Sequence, residues 1–103
     1  LYRHGADVAV SGHDHIYERF APQDANAKAD ARGVRQFIAG TGGERLYEIG
    51  TVKPNSEVRN DTTHGVLKFT LRASGYDWEF IAIAGQSFRD GGSAACHGAK
   101  VVK

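Results

Sequence analysis

The run His64-Gly65-Val66-Leu67-Lys68-Phe69-Thr70-Leu71-Arg72, continued by Ala73-Ser74-Gly75 and Tyr76-Asp77-Trp78-Glu79-Phe80-Ile81-Ala82-Ile83, decides the fold. Leu67, Phe69 and Leu71 alternate with Lys68, Thr70 and Arg72. Tyr76, Trp78 and Phe80 alternate with Asp77 and Glu79. In a strand, successive side chains point to opposite faces, so each run has one apolar face. Two such runs joined by a short glycine-containing turn predict an antiparallel hairpin, with Gly75 free to take a positive φ. Upstream, residues 34–39 read as a further strand on Val34, Phe37 and Ile38. It ends in Gly40-Thr41-Gly42-Gly43, a tight turn or a close backbone approach. Residues 7–10, Asp7-Val8-Ala9-Val10, form a short apolar run that suits a strand buried on both faces. Residues 1–6 read as the tail of a helix stopped by Gly5.

The remaining segments are polar. Residues 21–33 predict a surface loop with a helical turn, and residues 44–63 a long irregular connection containing Pro54. Residues 84–103 are glycine-rich and predict loop. The chain is therefore mostly β strands and loops, with a hairpin in its C-terminal half. The hairpin is expected to pack at best against residues 34–39, and such a small sheet is only marginally stable.

Composition narrows the function classes. The 103 residues are 41% hydrophobic and 24% charged, which suits a folded globular chain. Thirteen Lys and Arg against twelve acids give a net charge of +1, without the concentrated basic surface of a nucleic-acid binder. No apolar run reaches the roughly 18 residues of a membrane helix. Cys96 is the one cysteine, so a disulfide framework is excluded and any bridge needs a partner outside this chain. The sequence has no Met and no charged n-region followed by an apolar h-region, and it reads as a piece of a longer protein.

The chemistry lies in Gly12-His13-Asp14-His15-Ile16-Tyr17-Glu18-Arg19. Helix end, strand and polar loop is the rhythm of an α/β sheet, where ligands sit beyond the carboxyl ends of strands. In extended backbone, His13 and His15 would point to one side and Asp14 away. Neutral imidazole is the commonest metal ligand. Tyr17, Glu18 and Arg19 would orient the histidines or their loop, or else form a packed tyrosine and a surface ion pair. Gly40-Thr41-Gly42-Gly43 offers backbone N–H groups to a phosphate, but without a P-loop lysine a structural turn is favoured.

This block resembles the last signature, an apolar strand followed by G-H-x-H, of the calcineurin-like metallophosphoesterases. Tyr17-Glu18-Arg19 narrows the resemblance to the purple acid phosphatase-like branch. Residues 33–43 and the hairpin look like that branch's next strand, glycine turn and closing hairpin. The resemblance implies an α/β parent fold, a four-layer α/β/β/α sandwich, of which residues 1–103 are the C-terminal part of a single catalytic domain. It implies two divalent or trivalent metal ions (Fe, Zn or Mn), a phosphate ester substrate, and metal-ligand roles for His13 and His15. It further implies that elements outside this chain cover the strand at residues 7–10. It favours a secreted or periplasmic location. For Cys96, a disulfide to the N-terminal part is expected over a lone metal pair with His97. The family's earlier blocks, D-x-H, G-D-x-x and G-N-H followed by an acid, have no match here. Two histidines cannot give two ions the usual coordination number of about four, so the chain alone is expected to be inactive. The rival expectation is a non-catalytic β module holding a single structural zinc or no metal.

Overall fold

The computed structural model describes residues 1–97. Among these, the helical content is one 3-10 turn, Tyr2–His4, closed by Gly5 at φ 73°. The rest is strands and loops: β1 Val8–Ser11, β2 Tyr17–Phe20, β3 Arg35–Ala39, β4 Ser56–Asn60, β5 Gly65–Leu71, β6 Gly75–Ala82 and β7 Asp90–Ala95. They form two sheets, one of order β1-β3-β2-β4 and one of order β5-β6-β7. In the first sheet β1 and β3 run parallel, and the β3–β2 and β2–β4 pairs are antiparallel. The second sheet is antiparallel throughout.

The expected hairpin is β5–β6, in register Leu67↔Phe80, Phe69↔Trp78 and Leu71↔Tyr76. Its third strand is not residues 34–39. That run is β3, which joins the other sheet, and the hairpin takes β7 instead. The two sheets then meet face to face. Tyr17 and Phe37 from the first and Tyr76, Trp78 and Phe80 from the second form one buried aromatic cluster. Phe37 meets Phe69 and Trp78 edge-on, at ring centroids 5.1 and 5.5 Å apart. The Arg19 and Arg35 guanidinium carbons stand 5.1 and 5.0 Å from the Trp78 ring centroid. A shared core of this kind is what a lone three-stranded sheet lacks.

Further readings of the sequence are corrected. Gly75 does not turn with positive φ. It lies within β6, where a Cβ would come 2.8 Å from the Ala94 carbonyl oxygen. β1 is not buried on both faces: it is the edge strand beyond β3, and Val10 is 54% exposed. Residues 56–60 of the expected irregular connection form β4, residues 90–95 of the glycine-rich tail form a strand, and residues 98–103 lie outside the described part.

Small residues in β7 have a packing reason. A Cβ on Gly92 would lie 2.5 Å from Trp78 Cζ2 and 2.8 Å from its Cη2. The indole is 6% exposed and held by the flanking guanidiniums, so it has little room to yield. Gly92→Ala is expected to cost about 1–3 kcal/mol, about 4–8 °C in Tm for each kcal/mol. Thermal unfolding followed by the fluorescence of the single tryptophan checks this. An unchanged midpoint would mean that the ring is not wedged as described.

Candidate functional site

The sheet order dictates where the histidine loop runs. β3 lies between β1 and β2, and β1 and β3 point the same way. The loop from β1 to β2, residues 12–16, therefore crosses the carboxyl end of β3. Gly40, the first residue past β3, lies directly beneath it. Its N–H donates to the Ile16 carbonyl at 3.0 Å. A Cβ there would come 2.0 Å from the Asp14 carbonyl oxygen and 2.6 Å from that of Gly12. Close backbone approach is thus the role of this glycine. Around Gly42 there is open space. The adjacent Thr41 is fully buried, and its hydroxyl donates to the Gly65 carbonyl at 2.9 Å. The Gly65 N–H donates back to the Thr41 carbonyl at 3.0 Å. The segment after β3 is thereby tied to the start of β5, and Thr41 is a structural clamp.

His13 and His15 both lie in this crossing loop, His13 exposed and His15 half-buried. The loop is bent rather than extended. The Ile16 N–H donates to the Asp14 carbonyl at 2.9 Å, a γ-turn centred on His15. The imidazole of His15 is placed by other contacts. Its Nδ1 lies 2.7 Å from the Arg45 carbonyl oxygen. A carbonyl only accepts, so Nδ1 carries the proton, and in the neutral ring Nε2 keeps the lone pair. This is the arrangement of a metal-ligating histidine whose far nitrogen is held by the protein. The Tyr47 ring stacks on the imidazole at 4.3 Å and 28°. A cleft of about 240 Å³ opens beside the loop, with Asp14, Glu18, Tyr47, Glu48 and Lys53 on its walls. Among the described residues no group of three His, Cys, Asp or Glu side chains is gathered tightly enough to hold a metal ion.

Tyr17, Glu18 and Arg19 form β2, and their described hydrogen bonds go elsewhere than the histidines. Tyr17 is fully buried, and its hydroxyl donates to Asp90 Oδ2 at 2.5 Å. Arg19 Nε donates to the same oxygen at 2.9 Å, and Arg19 also pairs with Glu57. Glu18, on the opposite face, is 3% exposed and accepts from the Ser56 hydroxyl at 2.6 Å. Among the described residues it is buried and not part of a surface ion pair. Burial and then the Asp90 contact push the Tyr17 hydroxyl far above its ordinary pKa, so it stays a donor at any working pH. These residues hold the sheets on which the loop is mounted.

The other candidates lie apart. Cys96 is exposed and has no disulfide partner among the described residues. His97 Nε2 donates to the Gly33 carbonyl at 2.9 Å, and the His97 N–H to Asp7 Oδ1 at 2.8 Å. The contribution of residues 44–49 was not readable from the sequence. Only Tyr47, an isolated aromatic in a polar stretch, hints at it.

No protein-family model matches this chain, and no solved structure matches it. Among curated proteins it is similar to an Arabidopsis thaliana protein named probable inactive purple acid phosphatase 1, with 34% identity over 77 residues. The overlap covers 66% of this chain and 13% of the relative, so the chain spans only a small part of that protein's length.

Proposed function

We propose that this chain is the C-terminal part of a purple acid phosphatase-like metallophosphoesterase domain, and that the complete domain hydrolyses phosphate esters at a binuclear metal centre. The observation that carries the reading is the placement of His15. It sits beyond the parallel strands β1 and β3, with its Nδ1 proton given to the Arg45 carbonyl and its Nε2 lone pair left for a ligand. The similarity to the plant relative supports the same family.

In this reading His13 and His15 each supply an imidazole, one to each of two neighbouring ions. Such ions would polarise the phosphoryl oxygens and lower the pKa of a bound water. The chain's own part is to present the two rings from a loop that cannot sag, since it rests on Gly40, and to keep the His15 proton on Nδ1. The remaining ligands would come from sequence outside this chain.

The relative's name, which calls it inactive, favours a second reading: a fold of this family that does not hydrolyse its ligand. One experiment separates the two. In the full-length protein, hydrolysis of a chromogenic phosphate ester with added Zn²⁺, Mn²⁺ or Fe should be measurable, and His13→Ala should remove most of it. The isolated 103-residue chain should show none above buffer. No turnover by the full-length protein under any of these metals would favour the inactive reading. Robust turnover by the isolated chain would overturn the proposal that its site is incomplete.

A further inference from the structure

Residues 44–49 have no regular secondary structure and are largely exposed, yet they are tied down at both ends. At one end the His64 ring Nε2 donates to the Glu44 carbonyl at 2.9 Å. At the other, the Ile49 N–H donates to Asp61 Oδ2 at 2.8 Å, and the Ile49 side chain packs on the cluster of Ile16, Phe20 and Ile38. Between these anchors the strap makes three contacts with one residue. The Arg45 carbonyl accepts from His15 Nδ1 at 2.7 Å. The Tyr47 N–H donates to the His15 carbonyl at 2.9 Å. The Tyr47 ring covers a face of the imidazole.

The three contacts divide the task. The hydrogen bond to Arg45 selects the tautomer but leaves the ring able to rock about it. The stacked Tyr47 ring blocks that rocking, and the backbone bond keeps Tyr47 in register with the residue it covers. Tyr47 is itself 47% exposed, so core burial does not account for where its ring lies. We infer that Tyr47 is a positioning residue: with the Arg45 carbonyl, it holds His15 as a single tautomer in a single orientation, with Nε2 as the coordinating nitrogen. That the ligand is a metal ion rests on the function proposed above. The ordering of the ring does not.

The test uses the ¹⁵N-labelled full-length protein without metal, followed by zinc titration. Long-range ¹H–¹⁵N correlation spectra report which ring nitrogen carries the proton. In the wild type His15 should show one tautomer, protonated at Nδ1, and zinc should perturb its Nε2. Tyr47→Ala should give His15 a mixture of tautomers and weaken zinc binding by roughly 10–100-fold, with the His64 and His97 signals unmoved. Tyr47→Phe keeps the stack and should restore both readouts. Mixed tautomers in the wild type, or an unchanged His15 in Tyr47→Ala, would overturn the inference. If the tautomers behave as expected but zinc leaves the wild type unperturbed, the positioning role stands and the metal-centre reading falls.

Discussion

Replacing Gly40 with alanine is expected to dislodge the histidine loop and to destabilise the whole chain. The new methyl carbon would lie 2.0 Å from the Asp14 carbonyl oxygen and 2.6 Å from that of Gly12, far inside contact distance. Both obstacles are backbone, so no rotamer change relieves them. Either β3 or the loop must move, and β3 is fixed on both sides by β1 and β2. The loop is the part that gives. Its movement breaks the Gly40 N–H bond to the Ile16 carbonyl and pulls on Ile16, which belongs to the apolar cluster under the sheet. Overpacking of this kind costs about 1–3 kcal/mol where neighbours can adjust, and a rigid backbone clash puts Gly40→Ala at the upper end or beyond. A domain of this size loses about 4–8 °C of Tm per kcal/mol, so a fall of at least 10 °C is expected. Zinc-induced shifts at His13 and His15 should disappear with it. Gly42→Ala is the control, because a Cβ there meets nothing within 4 Å. Equal midpoints for the two variants would show that the crossing is looser than described.

The same crossing shows what the sequence could and could not reveal. β1, β3, β5 and β6 were legible because each carries an apolar run or a clean alternation. β2 was not, because both of its faces are occupied: Tyr17 and Arg19 face the other sheet, while Glu18 and Phe20 face away, all at most partly exposed. A strand that buries a glutamate through a serine hydroxyl has no polar side to alternate with. β4 has Val58 as its single apolar residue and, among the described residues, pairs only with β2. β7, Asp90-Gly91-Gly92-Ser93-Ala94-Ala95, contains no β-branched or aromatic residue, since Trp78 fills the space that side chains at Gly92 would need. The histidine pair was legible from its spacing and from the strand before it. The strap was not, because its hold on His15 runs through the Arg45 carbonyl and the Tyr47 N–H, and backbone groups leave no mark in the sequence.

Asp90 carries the second large effect. It sits at the start of β7 and receives the Tyr17 hydroxyl at 2.5 Å and Arg19 Nε at 2.9 Å, both from the opposite sheet. Its side chain is 8% exposed and that of Arg19 14%. Asp90→Ala leaves the Tyr17 hydroxyl without its partner in a fully buried site, and Arg19 with Glu57 as its remaining ion-pair partner among the described residues. Breaking a buried pair by removing one member costs about 3–5 kcal/mol, a large share of the roughly 5–15 kcal/mol that holds a domain folded. Asp90→Asn keeps the shape and one acceptor but loses the charge, so its cost should fall nearer 1.5–3 kcal/mol. The pH dependence follows from the same contacts. Burial pushes the Asp90 pKa up, but the Arg19 and Tyr17 hydrogen bonds outweigh it and hold the carboxyl below its ordinary value of 3.8. A carboxylate with a depressed folded pKa adds stability that is fully present above the unfolded value and is lost as pH falls through the folded one. The wild type should therefore lose its advantage over Asp90→Asn only below about pH 4. Asp77, through Arg72 and Ser93, and Asp30, through the Arg32 N–H and Tyr2, are also held low and are partly exposed. They contribute to the acid limb in both proteins, so the measurement is the difference between the two denaturation curves from pH 7 to pH 2. A difference that stays constant over that range would mean that Asp90 is not charged where it bridges the sheets.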